Sequence, residues 1–495
     1  MMEAGEFDPQ QKTTRSHATT SVLITGASQA VRLAVGFISG IVLARLLTPS
    51  DFGLIGMVAP AAALVAMTQD LGVGQAIVQR KTVTSAQISA LFFLTLGASM
   101  VLAALLALAA PLLADFYGDD RIVAVTLGFS TLLVLWMLQS QPSAILARRM
   151  QFVSIASIEI SSTLIGFFAA VYIAYVYQTY WAIFIQMLVT AVVNVAGIWI
   201  AARWVPTRPS FQGAFKEIMG LGAGISGSAF LNYLAQNIDK VLIGKFYGQE
   251  TLGLYDRSYK LLLMPITQVA SPLGRVFVPI LSRLAGDGPR YRQVYTEAVT
   301  LMLSVTHPAV LVVLIFAEDV FRTLLGEHWV PAAPIFQWLG LCALHQVMLP
   351  TAGWLLFSQG RGGDIFRVGV IDSVVVVTAI LVGLSWGAVG VAIALVIGDY
   401  LVRIPAVWSV VGKEGPVRVR DMVNMAVPHV AGCVAASAAL IVTGRSLDDL
   451  TVVHFAGLFV LSYLVYGAVL VMWADKRMVF EKNVSSILAT ARRVF

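Results

Sequence analysis

Four bases and five carboxylates lie inside stretches otherwise too apolar to hold them: Arg32, Lys240, Arg275 and Arg403, and Asp70, Glu159, Asp239, Asp372 and Asp399. A lone charge at a bilayer midplane costs about 2.5–3.5 kcal/mol on insertion scales, so such groups normally face protein or a wet cavity. Arg32 shares one helical face with Thr25, Ser28, Gln29, Gly36 and Ser39, at spacings of three and four. A comparable stripe holds Ser226, Asn232, Gln236, Asp239 and Lys240. Arg275 stands among Ser271, Pro272 and Pro279, where the prolines bend the helix.

These residues predict a cationic cavity suited to an anionic head group, with Arg32, Gln29, Asn232, Gln236, Lys240 and Arg275 as candidate substrate contacts. For Lys240 the alternative is local pairing with Asp239 and snorkelling outward, and for Arg275 it is reach to the cytoplasmic interface. Asp70, Glu159, Asp239, Asp372 and Asp399 are candidates to carry a proton or sodium ion, or to neutralise an arginine. Asp399 and Arg403, four apart, have the spacing of an intrahelical ion pair, which favours a structural role.

The elements that must position these residues are membrane helices. Hydrophobic residues make up 58% of the chain and charged ones 12%, against roughly 25% charged in a soluble domain. Fourteen apolar stretches can be counted, each long enough for a hydrocarbon core of about 30 Å. The fold expected is an all-α polytopic membrane protein with two pseudo-symmetric bundles around a central cavity. Residues 1–19 read as a cytoplasmic tail without a removable signal peptide, 20–202 as spans 1–6, 203–411 as spans 7–12 and 412–473 as spans 13–14. Residues 474–495 read as a surface-lying amphipathic cytoplasmic tail, with Val484, Ile487, Leu488 and Ala491 at helical spacing.

Alternate connectors differ sharply in charge. One set carries 22 bases and the other seven, which by the positive-inside rule places the first set, and both termini, in the cytoplasm. The same asymmetry explains a pI near 9.3 without nucleic acid. Cys342 and Cys433 offer neither a disulfide framework nor a metal cluster. His307, His328, His345, His429 and His454 are dispersed and lack a carboxylate or cysteine at ligand spacing, so core or interface positions are expected. Residues 360–364, Gly-Arg-Gly-Gly-Asp, lack the Lys-Ser or Lys-Thr of a phosphate loop and predict a tight turn. Neither hydrolytic or transfer chemistry nor a cofactor is implied.

Sliding the chain by 200 residues superimposes 42–54 on 242–254, placing Arg45 on Lys245, Gly53 on Gly253 and Leu54 on Leu254. Six spans separate the copies. An even number makes the repeat parallel, with both copies in the same orientation.

Arg-Leu-Leu-Thr-Pro-Ser-Asp-Phe-Gly-Leu at 45–54, Asp-Leu-Gly-Val-Gly-Gln-Ala-Ile-Val-Gln-Arg-Lys at 70–81, and the segment from Asp239 through Tyr255-Asp256-Arg257-Ser258-Tyr259-Lys260 to Leu261 resemble the polysaccharide transporter family. That group includes flippases for colanic acid, O-antigen and exopolysaccharide repeat units. Its superfamily also holds multidrug and toxin extrusion transporters and the lipid II flippase. The resemblance implies fourteen helices in a bacterial cytoplasmic membrane and movement of an undecaprenyl-diphosphate oligosaccharide to the periplasmic leaflet by alternating access. Membrane lipid, a polysaccharide polymerase and chain-length machinery are the partners it implies. The physics is compatible, since a diphosphate cannot cross hydrocarbon unaided and a hydrated basic cavity would offset its desolvation.

Two other readings stay open. A cation-coupled multidrug exporter of the same fold would want an acidic or neutral cavity. A membrane-embedded glycosyltransferase or polymerase would usually want a sizeable extramembrane loop with catalytic groups, whereas Asp115, Asp119, Asp120, Glu318 and Asp319 fall in short connectors.

Overall fold

The computed structural model describes residues 15–69, 77, 84–209, 215–445 and 451–473. Asp70, most of the expected N-terminal tail and the amphipathic tail at 474–495 lie outside the described residues, as do the side chains of Asn232 and Arg275. The described residues are helical and connecting, in two compact units divided between Gly253 and Leu254.

The first unit contains α1 (Arg15–Leu46), α2 (Pro49–Gln69), α3 (Ser85–Leu108), the short α4 (Ala110–Tyr117), α5 (Arg121–Arg148), α6 (Phe152–Tyr177), α7 (Trp181–Ala202) and the opening part of α8 (Phe215–Arg283). Helix α6 packs between α1 and α7, while α5 packs on α2, α3 and α7. Ile88, Leu91, Phe92, Ile145, Ile198 and Trp204 form one buried cluster, in which the Phe92 ring meets Trp199 and Trp204 edge-on.

The Thr-Pro-Ser-Asp motif starts α2. Thr48 donates from its backbone nitrogen and its hydroxyl to Asp51 Oδ2, at 2.9 and 2.7 Å, and Pro49 occupies the first helical position, where no amide donor is needed. In the repeat, the break within α8 falls at Gly248, with φ 78° and ψ 179°. This is a conformation glycine adopts at little steric cost. A Cβ added at Gly53 would strike the Gln249 carbonyl, and one added at Gly253 would strike that of Pro49. Residues 49 and 249, like 53 and 253, are 200 apart, so the contact is exchanged symmetrically between the two copies of the motif.

The second unit contains the rest of α8, then α9 (Gly288–Ile315), α10 (Ala317–Leu324), a 3₁₀ turn (Glu327–Ala332), α11 (Ala333–Gln346), α12 (Leu349–Ser358), α13 (Gly362–Gly383), α14 (Gly387–Gly398), α15 (Ile404–Lys413), α16 (Val419–Gly444) and α17 (Val452–Met472). A π-helical turn, Asp399–Arg403, links α14 to α15. Helix α9 packs on α16 and α17, and α14 packs on α11 and α13.

Eleven segments among the described residues are long and apolar enough to span a membrane. One of them, Gly362–Lys413, is two passes joined at Leu384–Trp386, and α8 adds two more on either side of Gly248. The described helices therefore account for the fourteen passes expected. Large side chains such as Leu108, Ile200, Val434 and Met472 stand exposed on them, which suits a lipid surround and not water.

Candidate substrate cavity

Within the first unit, α1, α2, α5, α6 and α7 enclose a cavity of about 720 Å³. Helix α1 contributes Arg32, and α5 contributes Trp136, Gln139, Ser140 and Ser143. Glu159, Ser162 and Thr163 come from α6, and Gln186, Thr190 and Asn194 from α7.

Close helix packing sets this lining. At Gly166 of α6, a Cβ would sit 2.8 Å from the Gln186 carbonyl oxygen and would also strike the Thr190 side chain. The missing side chain lets α7 approach with its polar face, in the manner of small residues at membrane helix contacts. Gln186 Nε2 donates to Ser39 Oγ at 2.7 Å, tying α7 to α1, and Asn194 Nδ2 donates to Ser162 Oγ at 3.3 Å, tying α7 to α6. Ser162 and Thr163 donate their own hydroxyls to the Glu159 carbonyl, at 3.0 and 2.7 Å.

Arg32 Nη1 lies 2.5 Å from Glu159 Oε2. Among the described residues these two are the charged groups in the lining, whose formal charges cancel, and amides, hydroxyls, one indole and apolar side chains make up the rest. Their side chains are 45% and 33% exposed. A pair that open contributes on the order of 1 kcal/mol or less to stability; its larger effect is to hold two charges in place. Gln139 Oε1 is buried without a hydrogen-bond partner.

The remaining predicted residues whose side chains are described lie elsewhere. Ser28 is buried, and Gln29 is exposed one turn before Arg32 without lining the cavity. In α8, Gln236 is exposed, Asp239 is buried and accepts from the Lys240 backbone nitrogen at 2.8 Å, and Lys240 Nζ stands 3.4 Å from Asn237 Oδ1. None of these three lines the cavity around Arg32.

Asp372 and Asp399 meet in the second unit. Arg403 makes a two-pronged contact with Asp372, Nε to Oδ1 at 2.8 Å and Nη2 to Oδ2 at 3.0 Å, and its Nη1 lies 3.3 Å from Asp399 Oδ1. The spacing of four thus forms the expected intrahelical pair, across the π-helical turn. His345 Nε2 lies 3.0 Å from Asp399 Oδ2, both side chains being buried. His307, His345 and His429 are buried, in keeping with the core positions expected, and the packing of α11 on α14 places His345 beside a carboxylate 54 positions away. Likewise His307, His429 and Tyr466 converge, the tyrosine hydroxyl lying 2.6 Å from His429 Nδ1 and 3.2 Å from His307 Nδ1. Both cysteines are free, and no group of three metal-ligating side chains occurs among the described residues.

The uncharged part of the lining includes α7 residues outside the charged helices α1 and α8. Its signal was present in Gln186, Thr190 and Asn194, which recur every four residues on one face of an otherwise apolar span.

The described helices form a polytopic membrane bundle with a polar, ion-paired cavity among the helices of its first unit. The family model described as "Polysaccharide biosynthesis protein" matches residues 42–334, and the chain belongs to that family. It is 26% identical over 295 residues to the teichuronic acid biosynthesis protein TuaB of Bacillus subtilis (strain 168), a match spanning 59% of this chain and 61% of that protein. It is 24% identical over 356 residues to the succinoglycan biosynthesis transport protein ExoT of Rhizobium meliloti (strain 1021), covering 70% of each. The solved structure of the lipid II flippase MurJ in an inward closed conformation matches 92% of this chain and 100% of its own, with a TM-score of 0.71 at 13% identity. At that identity the likeness speaks for the fold.

Proposed function

We propose that this protein is a flippase that carries undecaprenyl-diphosphate-linked oligosaccharide repeat units from the cytoplasmic to the periplasmic leaflet of a bacterial cytoplasmic membrane. Both termini face the cytoplasm in this reading. The observation that carries it is the polar cavity around Arg32 and Glu159 in a family of polysaccharide biosynthesis. A cargo with many hydroxyls and two phosphates needs hydrogen-bonding walls in place of water, while its isoprenoid tail can remain in lipid.

Arg32 and Glu159 tie α1 to α6 at the cavity wall, and both keep spare hydrogen-bonding capacity that the polar head of the cargo can use. Energy coupling we assign to the second unit, where His345 and Asp399 lie buried side by side and Arg403 joins Asp399 to the partly exposed Asp372. The Tyr400 ring packs edge-on against His345.

The test is deletion of the gene followed by complementation. Loss of surface polysaccharide with accumulation of lipid-linked repeat units in the inner leaflet, reversed by the wild-type chain, supports the reading. Normal polymer in the deletion strain contradicts it.

A further inference from the structure

We infer that the cavity in the first unit is a carbohydrate subsite, which takes uncharged sugar rings of the cargo and leaves the diphosphate outside its inner part. This rests on the flippase reading and names the part of the substrate that the cavity recognises.

Size, charge and hydrogen-bonding capacity all bear on the choice. A cavity of about 720 Å³ lies within the roughly 300–1,000 Å³ of small-molecule sites and has room for more than one sugar ring. With Arg32 held by Glu159, the described lining has no net charge, so among the described residues it lacks the surplus of cations that a diphosphate needs. An isoprenoid tail fits no better, because it would press hydrocarbon against the amides of Gln139, Gln186 and Asn194, and burying such groups without hydrogen bonds is costly.

A pyranose presents hydroxyls that donate and accept, together with an apolar ring face. The lining answers each. Gln139 lines the cavity, and its Oε1, buried and without a partner in this conformation, becomes available to a hydroxyl when the amide turns toward the cavity. Ser140 and Ser143 supply hydroxyls of either sense, and Asn194 adds an amide. Trp136 provides a flat apolar surface with one N–H donor. The spare carboxylate lone pairs of Glu159 and the remaining guanidinium protons of Arg32 can bind hydroxyls while their ion pair stays closed.

The experiment uses purified full-length protein in lipid nanodiscs and two separate probes. One is the oligosaccharide freed from the cell's own lipid-linked repeat unit by removal of lipid and phosphate; the other is sodium pyrophosphate. Tryptophan fluorescence and calorimetry follow binding. The free oligosaccharide is expected to bind, with a fluorescence change that disappears in Trp136→Phe and affinity reduced about tenfold in Gln139→Leu, the size expected for one lost buried hydrogen bond. Pyrophosphate is expected to leave the Trp136 signal unchanged. Trp136→Phe preserves bulk and serves as the folded control if Gln139→Leu assembles poorly.

Absence of oligosaccharide binding, binding indifferent to Trp136→Phe, or pyrophosphate displacing the oligosaccharide from the Trp136 site would each overturn the assignment. The flippase reading is scored separately by surface polymer in the deletion strain. If polymer is lost but the sugar ignores the cavity, only the subsite falls; if sugar binds but polymer persists, only the flippase reading falls.

Discussion

Arg32 and Glu159, 127 positions apart in sequence, form an ion pair at 2.5 Å that joins α1 to α6 across the wall of a cavity. Both ends remain open to the cavity, so the pair is a contact that cargo can reach. Its small worth to stability makes it separable from folding.

Arg32→Ala and Glu159→Gln should therefore each abolish or strongly reduce polysaccharide export while shifting thermal stability by no more than about 1 kcal/mol. Complementation of the deletion strain, with membrane protein quantified in parallel, checks both. Export at wild-type level from either variant would remove the pair from the mechanism.

Gly166 should be intolerant for a packing reason. A side chain there meets the Gln186 carbonyl and the Thr190 side chain, so Gly166→Leu should push α7 away and cost about 1–3 kcal/mol, the usual range for overpacking. Gly97, with open space around its Cβ position, supplies the comparison. Gly97→Ala should be neutral or slightly stabilising, as read by thermal unfolding in detergent.

The exchanged contact of Gly53 with Gln249 and of Gly253 with Pro49 predicts that Gly53→Val and Gly253→Val fail alike. Similar losses of folded protein in size-exclusion profiles would support the two-fold relation, and a large asymmetry would count against it.

In the second unit, Arg403 is the cation between Asp372 and Asp399. Arg403→Ala should leave two carboxylates without it and cost about 3–5 kcal/mol, the range for breaking a buried pair by removing one partner. Arg403→Ala/Asp372→Asn should recover part of that loss in the same unfolding assay.

Outside the membrane, Arg121 donates to Asp119 through its side chain, with Nη2 to Oδ2 at 2.6 Å, and this contact, opposed by partial burial, holds the Asp119 carboxyl below its ordinary value. A carboxylate lowered in the folded state stabilises above its unfolded pKa, and that contribution fades as pH falls through the folded pKa. Asp119→Asn should accordingly be less stable than wild type at neutral pH, with the two melting curves converging in acid. The gap should be small, because Arg121 is 49% exposed.

Membrane class, pass number and the repeat were legible in the chain because each rests on a one-dimensional signal: apolar run length, and the recurrence of Arg45, Gly53 and Leu54 as Lys245, Gly253 and Leu254. Arg32 was legible too, since a base in an apolar helix is conspicuous. Its partner was not. Glu159 stood among five candidate carboxylates, and only the packing of α6 on α1 selects it. Gln139 and Asn194 are inconspicuous in the chain because an uncharged amide costs far less than a charge in hydrocarbon. His345 and Asp399 show the same limit, as no spacing rule links side chains brought together by α11 and α14.

The central claim is that the cavity holding Arg32 and Glu159 carries the polar head of a lipid-linked oligosaccharide across the bilayer. Purified protein reconstituted into liposomes with a fluorescently labelled undecaprenyl-diphosphate oligosaccharide, scored by how fast the label becomes accessible to an impermeant quencher, tests it most directly. Wild-type protein should exchange the label between leaflets, and equally well inserted Arg32→Ala protein should not. Exchange no faster than in protein-free liposomes, or equal rates for wild type and Arg32→Ala, would contradict the account.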